Sequence, residues 1–418
     1  MDISEQSVKE HYGELIGVGI QWEVIRVDVH HREQRLEAWV QWKKDAILLC
    51  PECRKECPGY DMLKQRTWRH LDACGYITLL HARIPRCQCK EHKVLSIVPC
   101  WAAPGSRFTL AFECHANDVL DGARSISSAC KLLHIDWDTA LLIQKRGVER
   151  GLAKRTAQAT DYLGMDEKSF GKGQSYGTVI SDLTHGSVLE VMQNRDQASA
   201  TQALMALPSE MRNSVKAVAM DMWKAFANAV EEVIPQAAIV HDRFHIKGYL
   251  TKAVDEVRRS ENKELKASGD TSLVGSKYQW LRNPTNHTDE SWESFEELLE
   301  RNLKTGRAWA LKETFEQFWD YRLEDKAAEF FKQWFGRAKR SKLKPVKQAA
   351  DTLKRHLPNI LTYFTHRITN ATAEGLNSLI QALKSNARGF RNFANYRIAI
   401  LFHLGKLDRK PAFTHSLP

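Results

Sequence analysis

The sequence contains no run of about 18 apolar residues, which excludes a helix long enough to span a membrane. Its first stretch, MDISEQSVKEHYGEL, lacks the basic-then-apolar pattern of an export signal, so a cytoplasmic protein is expected. No internal repeat or low-complexity tract appears. The glycine-rich segment GKGQSYG lacks Walker spacing, so a phosphate-cradling loop and a need for ATP are not expected. Without an export signal, the nine cysteines argue against a disulfide framework and towards thiols or metal.

What is present is a chain of 418 residues, too long for one ordinary core. Its 43% hydrophobic and 27% charged residues are globular in balance, and a net charge of +10 favours a polyanionic partner, nucleic acid above all. Residues 1–110 hold most of the cysteines and strand-like runs such as AILLC and YITLLHARI. Residues 111–155 turn helical and basic. From 161 to about 260 strands alternate with helices, and from 260 to 365 the chain reads as charged, Trp-rich helix. The clearest breaks are polar, RRSENKELKASGDTS and GRAKRSKLKP.

Cys50 and Cys53 in LLCPECRKECPGYD have the spacing of a zinc knuckle, and RIPRCQCKEHKV offers a second half-site. Zinc takes four soft or borderline ligands, usually as two close pairs. The expected set is Cys50, Cys53, Cys89 and His92, with Cys87 a possible substitute and Cys57 a weaker rival. No open position is suggested, so the zinc is structural. Downstream, ISSACKLLHIDWDTALLIQKR reads as two helices around a tight turn, capped by Ser127 and Asp138. Ala129, Leu132 and Leu133 face inward, as do Ala140, Leu141 and Ile143. The second helix offers Lys145 and Arg146 to DNA phosphates, as a helix-turn-helix does; an ordinary helical hairpin with a solvated basic face fits the pattern as well.

YLGMDEKSF raises a different question, because the apolar run 162–165 ends on Asp166 and Glu167. Carboxylates at the end of a core strand need something positive to meet them. VKAVAMDMWKAF repeats the arrangement with Asp221, although that residue can also cap the following helix. In TNATAEGLNSLIQALKS, Leu376, Leu379, Ile380 and Leu383 mark an apolar stripe, and Glu374 sits in the first turn after possible caps Asn370 and Thr372. A first-turn acid is commonly there for the helix dipole. Packed on the sheet edge, however, this helix would aim Glu374 at the two aspartates. Three oxygen donors without a basic partner nearby in sequence fit Mg²⁺ or Mn²⁺, two ions per site.

The order β-β-β-α-β-α-β-α, with acids at 166, 221 and 374, resembles the ribonuclease-H-like core of DDE transposases. The closer resemblance is to insertion-sequence transposases of the ISL3 group. It is carried by CPEC with CKEH, RTWRHLD, WAAPGSRFT, GMDEKSFGKGQSYGTVISDL, AVAMDMWKAF, IVHDRFHI, AVDEVRR and TNATAEGLNSLIQALKSNARGFRNFANYRI, across about residues 45–405. The resemblance implies a multidomain α/β protein: a zinc module (1–110), a helix-turn-helix (111–155), a ribonuclease-H-like mixed sheet (156–260) and an all-α insertion (261–365). The rest of the core, with the acidic helix and a basic tail, follows at 366–405, and 406–418 is a terminal tail. It implies Asp166, Asp221 and Glu374 as catalytic metal ligands, and Asp242 and His245 of HDRFHI as accessory residues, though Asp242 can equally cap a helix.

Trp280, Trp309, Trp319 and Trp334 in the insertion are expected in the core, with stacking on unpaired bases the alternative. Lys384, Arg388, Arg391 and Arg397 flank Phe390, Phe393 and Tyr396 and are expected to contact DNA phosphates. The implied activity is binding of terminal inverted repeats, strand cleavage and strand transfer on double-stranded DNA by a homo-oligomer. The rival reading is a non-catalytic DNA-binding regulator derived from such an enzyme.

Overall fold

WEVIRVDVH and RLEAWVQW each place apolar residues on one side of an extended chain. In the computed structural model they pair as the antiparallel strands β1 (Trp22–His30) and β2 (Arg35–Trp42), after helix α1 (Glu5–Ile16). Residues 5–123, 125–156, 158–171, 175–368 and 371–411 are described. Five short strands follow: β3 (Gly59–Met62), β4 (Arg66–Arg69), β5 (Ile77–Ala82), β6 (Pro85–Cys89) and β7 (Lys93–Ser96). They complete a four-stranded sheet, β1-β2-β5-β4, and a separate three-stranded one, β3-β6-β7. The first sheet covers a core in which the Trp101 ring meets Trp22 and Trp68 edge-on, at 4.7 and 5.9 Å. AILLC is not a strand; within it, Leu49 alone makes an isolated bridge, to Glu56.

Helices α2 (Leu110–Gly122), α3 (Ile126–Leu133) and α4 (Trp137–Ala153) belong to the same compact unit, which runs to Arg155 and resumes at Leu407. The caps differ from expectation. Ser125, not Ser127, accepts from the Ser128 amide, and Asp136, not Asp138, accepts from the Thr139 amide. Leu132 is exposed rather than core. Gly151 stands inside α4 because a Cβ there would lie 2.5 Å from Leu407. That close seat holds the segment 407–411, with Lys154 on Asp408 and Arg409 on Asp121.

The second unit, Thr156–Lys406, is built on a five-stranded sheet ordered β10-β9-β8-β11-β12. Its strands are β8 (Tyr162–Ser169), β9 (Tyr176–Asp182), β10 (Ser187–Gln193), β11 (Ala217–Met220) and β12 (Ala238–His241). The first three are antiparallel, and β11 and β12 run parallel to β8, so the core has the mixed ribonuclease-H-like order 3-2-1-4-5. Helices α5 (Gln197–Met205), α6 (Ser209–Ser214) and α7 (Lys224–Val233) connect these strands, and α5 and α7 pack on each other. Helix α8 (Arg243–Ala267) continues unbroken through residue 260, so the core enters the helical insertion on one rigid element and RRSENKELKASGDTS is largely helix.

The insertion comprises α9 (Lys277–Leu281), α10 (Asp289–Glu300), α11 (Lys304–Glu316), α12 (Glu324–Arg340), α13 (Lys344–Arg355), α14 (Leu357–Leu361) and α15 (Tyr363–His366). Trp280, Trp319 and Trp334 are buried in its core and Trp309 packs against it, so these rings are core as expected. The same cluster includes Met222, which ties the insertion to the sheet edge. Helices α16 (Ala371–Asn386) and α17 (Phe393–Leu404) close the unit, α16 against β8 and α17 against β10.

Candidate active site and zinc centre

The parallel register decides where the acids stand. Met165 of β8 pairs with Met220 of β11, and Met220 with His241 of β12. The next residue along each strand is an aspartate: Asp166, Asp221 and Asp242. Three carboxylates therefore leave one edge of the sheet in a row. The β8 strand does not stop at its acids; it continues to Ser169 against β9, with Asp166 opposite Val179. Glu167 points the other way and pairs with Arg195 at 3.0 Å. Asp182, at the end of β9, accepts the amides of Thr184 and His185 and is a turn residue.

Asp221 is not the cap of α7, since Trp223 occupies that position and Asp221 accepts the neighbouring Met222 amide instead. Asp242 does cap α8, accepting from the Phe244 amide at 3.1 Å, and also lines a cleft with Glu374. His245 lies between the two, Nδ1 3.4 Å from Asp221 and Nε2 3.8 Å from Asp242. Lys168, on the same face of β8 as Asp166, approaches it to 3.7 Å. The expectation that the acids lack basic partners is thus corrected: a lysine two residues on and a histidine from α8 stand beside them.

Glu374 is exposed in the first turn of α16. One turn later, Asn377 donates its side-chain amide to Asp166 Oδ2, anchoring α16 to β8. Thr372 lies inside the helix rather than capping it, Asn370 falls outside the described residues, and Leu379 is exposed rather than core. The helix thus brings Glu374 to the same edge as the aspartates. The three carboxylates are not drawn within 4.8 Å of one another, as the zinc ligands are. Their oxygen-only chemistry suits a hard divalent cation.

Of the expected phosphate contacts, two are paired with buried carboxylates inside their units. Arg146 and Arg150 both bind the carboxylate of the fully buried Glu113, and Arg146 also donates to Ser106. Arg397 makes a two-point ion pair with buried Glu190, at 2.6 and 2.7 Å. These two arginines hold the fold. Lys384 donates to the Ser169 carbonyl, while Lys145, Arg388 and Arg391 are exposed. Phe390 and Phe393 each pack on Tyr396, and Phe170 joins Phe393 and Tyr396.

At the other site, Cys50, Cys53, Cys89 and His92 bring their ligand atoms within 4.8 Å of one another. Cys53 Sγ is 3.8 Å from Cys89 Sγ, and His92 Nδ1 lies 3.7 Å from Cys50 Sγ and 3.6 Å from Cys89 Sγ. Zn–S bonds of about 2.3 Å in a tetrahedron separate neighbouring sulfurs by roughly 3.8 Å, so these edges fit structural zinc. The amides of His92 and Glu91 pull the Cys89 thiol down to about 6, towards the thiolate that zinc requires. Cys87 and Cys57 are buried beside the set without joining it. Burial holds the Cys57 thiol up at about 11.

Comparison with known proteins matches residues 163–400 to a transposase model of the ISL3 group, and residues 49–92 to the zinc finger of the transposases of IS204, IS1001, IS1096 and IS1165. The transposase for insertion sequence element IS1001 of Bordetella parapertussis is 25% identical over 354 residues, 83% of this chain and 86% of the relative. The transposase for IS1557 of Mycobacterium tuberculosis is 25% identical over 384 residues, 86% of each chain.

Proposed function

The chain belongs to the ISL3 family of insertion-sequence transposases, and on that premise we propose that it binds the terminal inverted repeats of its own element, cuts DNA there and joins the freed 3′ ends to target DNA. Asp166, Asp221 and Glu374 are the proposed catalytic carboxylates, holding two Mg²⁺ or Mn²⁺ ions. When bound, such ions activate the attacking water or 3′-hydroxyl and stabilise the leaving oxygen of an in-line displacement. The observation that carries this reading is the register row at the sheet edge, with α16 fastened to it through Asn377 and Asp166.

The chain's own residues divide the work. The parallel pairing β8–β11 sets Asp166, on β8, beside Asp221, the residue that follows β11. Helix α16 delivers Glu374 from the far side of the insertion. Lys168 holds positive charge at Asp166, which makes like carboxylates more tolerable at one edge, and the His245 ring stands beside Asp221. Asp242 and His245 shape the pocket or contact DNA. Lys145, Lys384, Arg388 and Arg391 contact phosphates, positioning the duplex without reading its sequence. Two ends joined to one target require at least two subunits acting together.

The test uses purified full-length protein and linear DNA ending in the element's termini. Wild type is expected to nick this DNA only with Mg²⁺ or Mn²⁺. Asp166→Asn and Asp221→Asn are expected to lose cutting and keep binding in a gel shift. Cutting by either variant at the wild-type rate overturns the assignment.

A further inference from the structure

Strands β11 and β12 share more than their terminal aspartates. Two residues beyond each acid stands an exposed aromatic, Trp223 after Asp221 and Phe244 after Asp242, at 45% and 67% exposure. Large rings usually supply burial, so two at matching places beside an acidic edge need a reason. Trp223 is partly engaged: its Nε1 donates to the Arg195 carbonyl, and the Arg195 guanidinium lies 5.4 Å from its ring. Phe244 instead borders a cleft of ≈ 310 Å³ that also includes Asp242, Glu374, Tyr363 and His241. That is the lower end of the roughly 300–1,000 Å³ range of small-molecule sites, room for one planar heterocycle and none for a duplex.

Two features define what the cleft accepts. His241 is 2% exposed and lines it, beside the Met220 carbonyl and the His356 ring, yet among the described residues neither ring nitrogen makes a well-formed hydrogen bond. A buried polar edge without a partner asks for one from outside. The cations at the rim, Lys247 and Arg243, are both paired with Glu316, at 2.9 and 3.1 Å. The cleft is therefore not arranged for a phosphate. An aromatic face, a polar imidazole edge and neutralised charge suit a nucleobase, whose faces stack on any aromatic ring and whose edge forms hydrogen bonds.

We propose that this cleft receives one nucleobase extruded from the DNA strand being cut, stacked on Phe244 and met at its edge by His241. Turning that nucleotide out of the duplex frees the adjoining backbone to approach Asp166, Asp221 and Glu374, which stand at the same sheet edge. The inference rests on the reading that the chain cuts DNA at its element's ends.

The experiment places 2-aminopurine at each position flanking the cut in an otherwise intact end duplex, with full-length protein and Ca²⁺ to hold the complex uncut. This base brightens on leaving the stack and is quenched on an aromatic ring. One position is expected to brighten several-fold more with Phe244→Ala than with wild type. The same variant is expected to cut intact duplex about ten-fold more slowly or worse, the scale of one lost base–aromatic stack. An end duplex abasic at that position should remove most of the difference between the two proteins. Phe244 is exposed, so the variant is expected to fold; Phe244→Tyr, which keeps a ring, should restore the wild-type response. Wild-type cutting with no position at which Phe244→Ala brightens 2-aminopurine more than wild type does, or Phe244→Ala cutting intact ends as fast as wild type, overturns this proposal and leaves the transposase reading standing. Failure of wild type to cut end DNA with Mn²⁺ overturns both.

Discussion

Asn377 and Asp166 are separated by 211 residues of chain, yet the amide of the first donates directly to the carboxylate of the second. Through that bond the helix carrying Glu374 is fastened to the strand carrying Asp166. Glu374 itself is exposed at its helix start and needs such an anchor to stay near the sheet edge. A hydrogen bond to a charged group contributes roughly 1.5–3 kcal/mol. We therefore expect Asn377→Ala to slow Mn²⁺-dependent cutting by about ten-fold or more while gel-shift affinity for end DNA stays within about two-fold. A parallel loss of affinity, or a general fall in melting temperature that accounts for the rate, would show a merely structural role.

The zinc set makes a prediction that distinguishes neighbouring cysteines. Metal analysis of the full chain should find about one zinc, lost in Cys50→Ser and His92→Ala and retained in Cys87→Ser and Cys57→Ser. Chelation should lower the melting temperature of the N-terminal unit, because the ion would add a cross-link between two segments otherwise joined by the β3–β6 pairing and the Lys55–Glu91 ion pair. Zinc loss in Cys87→Ser with retention in Cys89→Ser would reverse the ligand assignment.

Two arginines near the C-terminal end should behave oppositely. Arg397→Ala leaves the buried Glu190 carboxylate without its partner, and breaking a buried pair from one side costs about 3–5 kcal/mol. Denaturant unfolding should register that loss. Arg391 is exposed, and Arg391→Ala should change stability by no more than about 0.5 kcal/mol. It should instead weaken DNA binding and flatten its dependence on salt. The reverse pattern would exchange their roles.

Acid should destabilise the protein well above the range where carboxylates titrate. Burial, helped by Arg69 alongside, pushes the His70 imidazole down to about 4, and burial with His356 nearby does the same to His241. The unfolded chain takes up these protons as pH falls below 6.5, whereas the folded chain resists until about 4. The contribution is whole above 6.5 and is lost on the way down. For one such residue the loss between pH 7 and pH 5 is on the order of 2 kcal/mol. His70→Asn, which keeps a partner for Thr109 and does not titrate, should flatten that slope for the N-terminal unit in melts at the two pH values. An unchanged slope would place the acid sensitivity elsewhere.

Much of this protein was legible in local pattern. Cys50 with Cys53 and Cys89 with His92 each have two residues between them, so two half-sites of a metal knuckle are visible without any knowledge of the fold. Apolar runs ending in Asp166 and Asp221 announce strands that deliver acids to an edge, because a strand's direction and its side-chain alternation are properties of a few consecutive residues. The burial of the insertion's tryptophans follows from the same helical spacing.

Tertiary structure decided which groups are already engaged. Nothing near Arg146 or Arg397 in sequence reveals Glu113 or Glu190, since a salt bridge is made by whichever segments pack together. The same holds for His245 reaching Asp221 and for Asp242 joining the row, both consequences of a parallel register set by strands far apart in the chain. Periodicity determines which face a side chain takes. Only packing brings that face to its partner, because burial energy depends on contact area and not on the order in which the residues are joined.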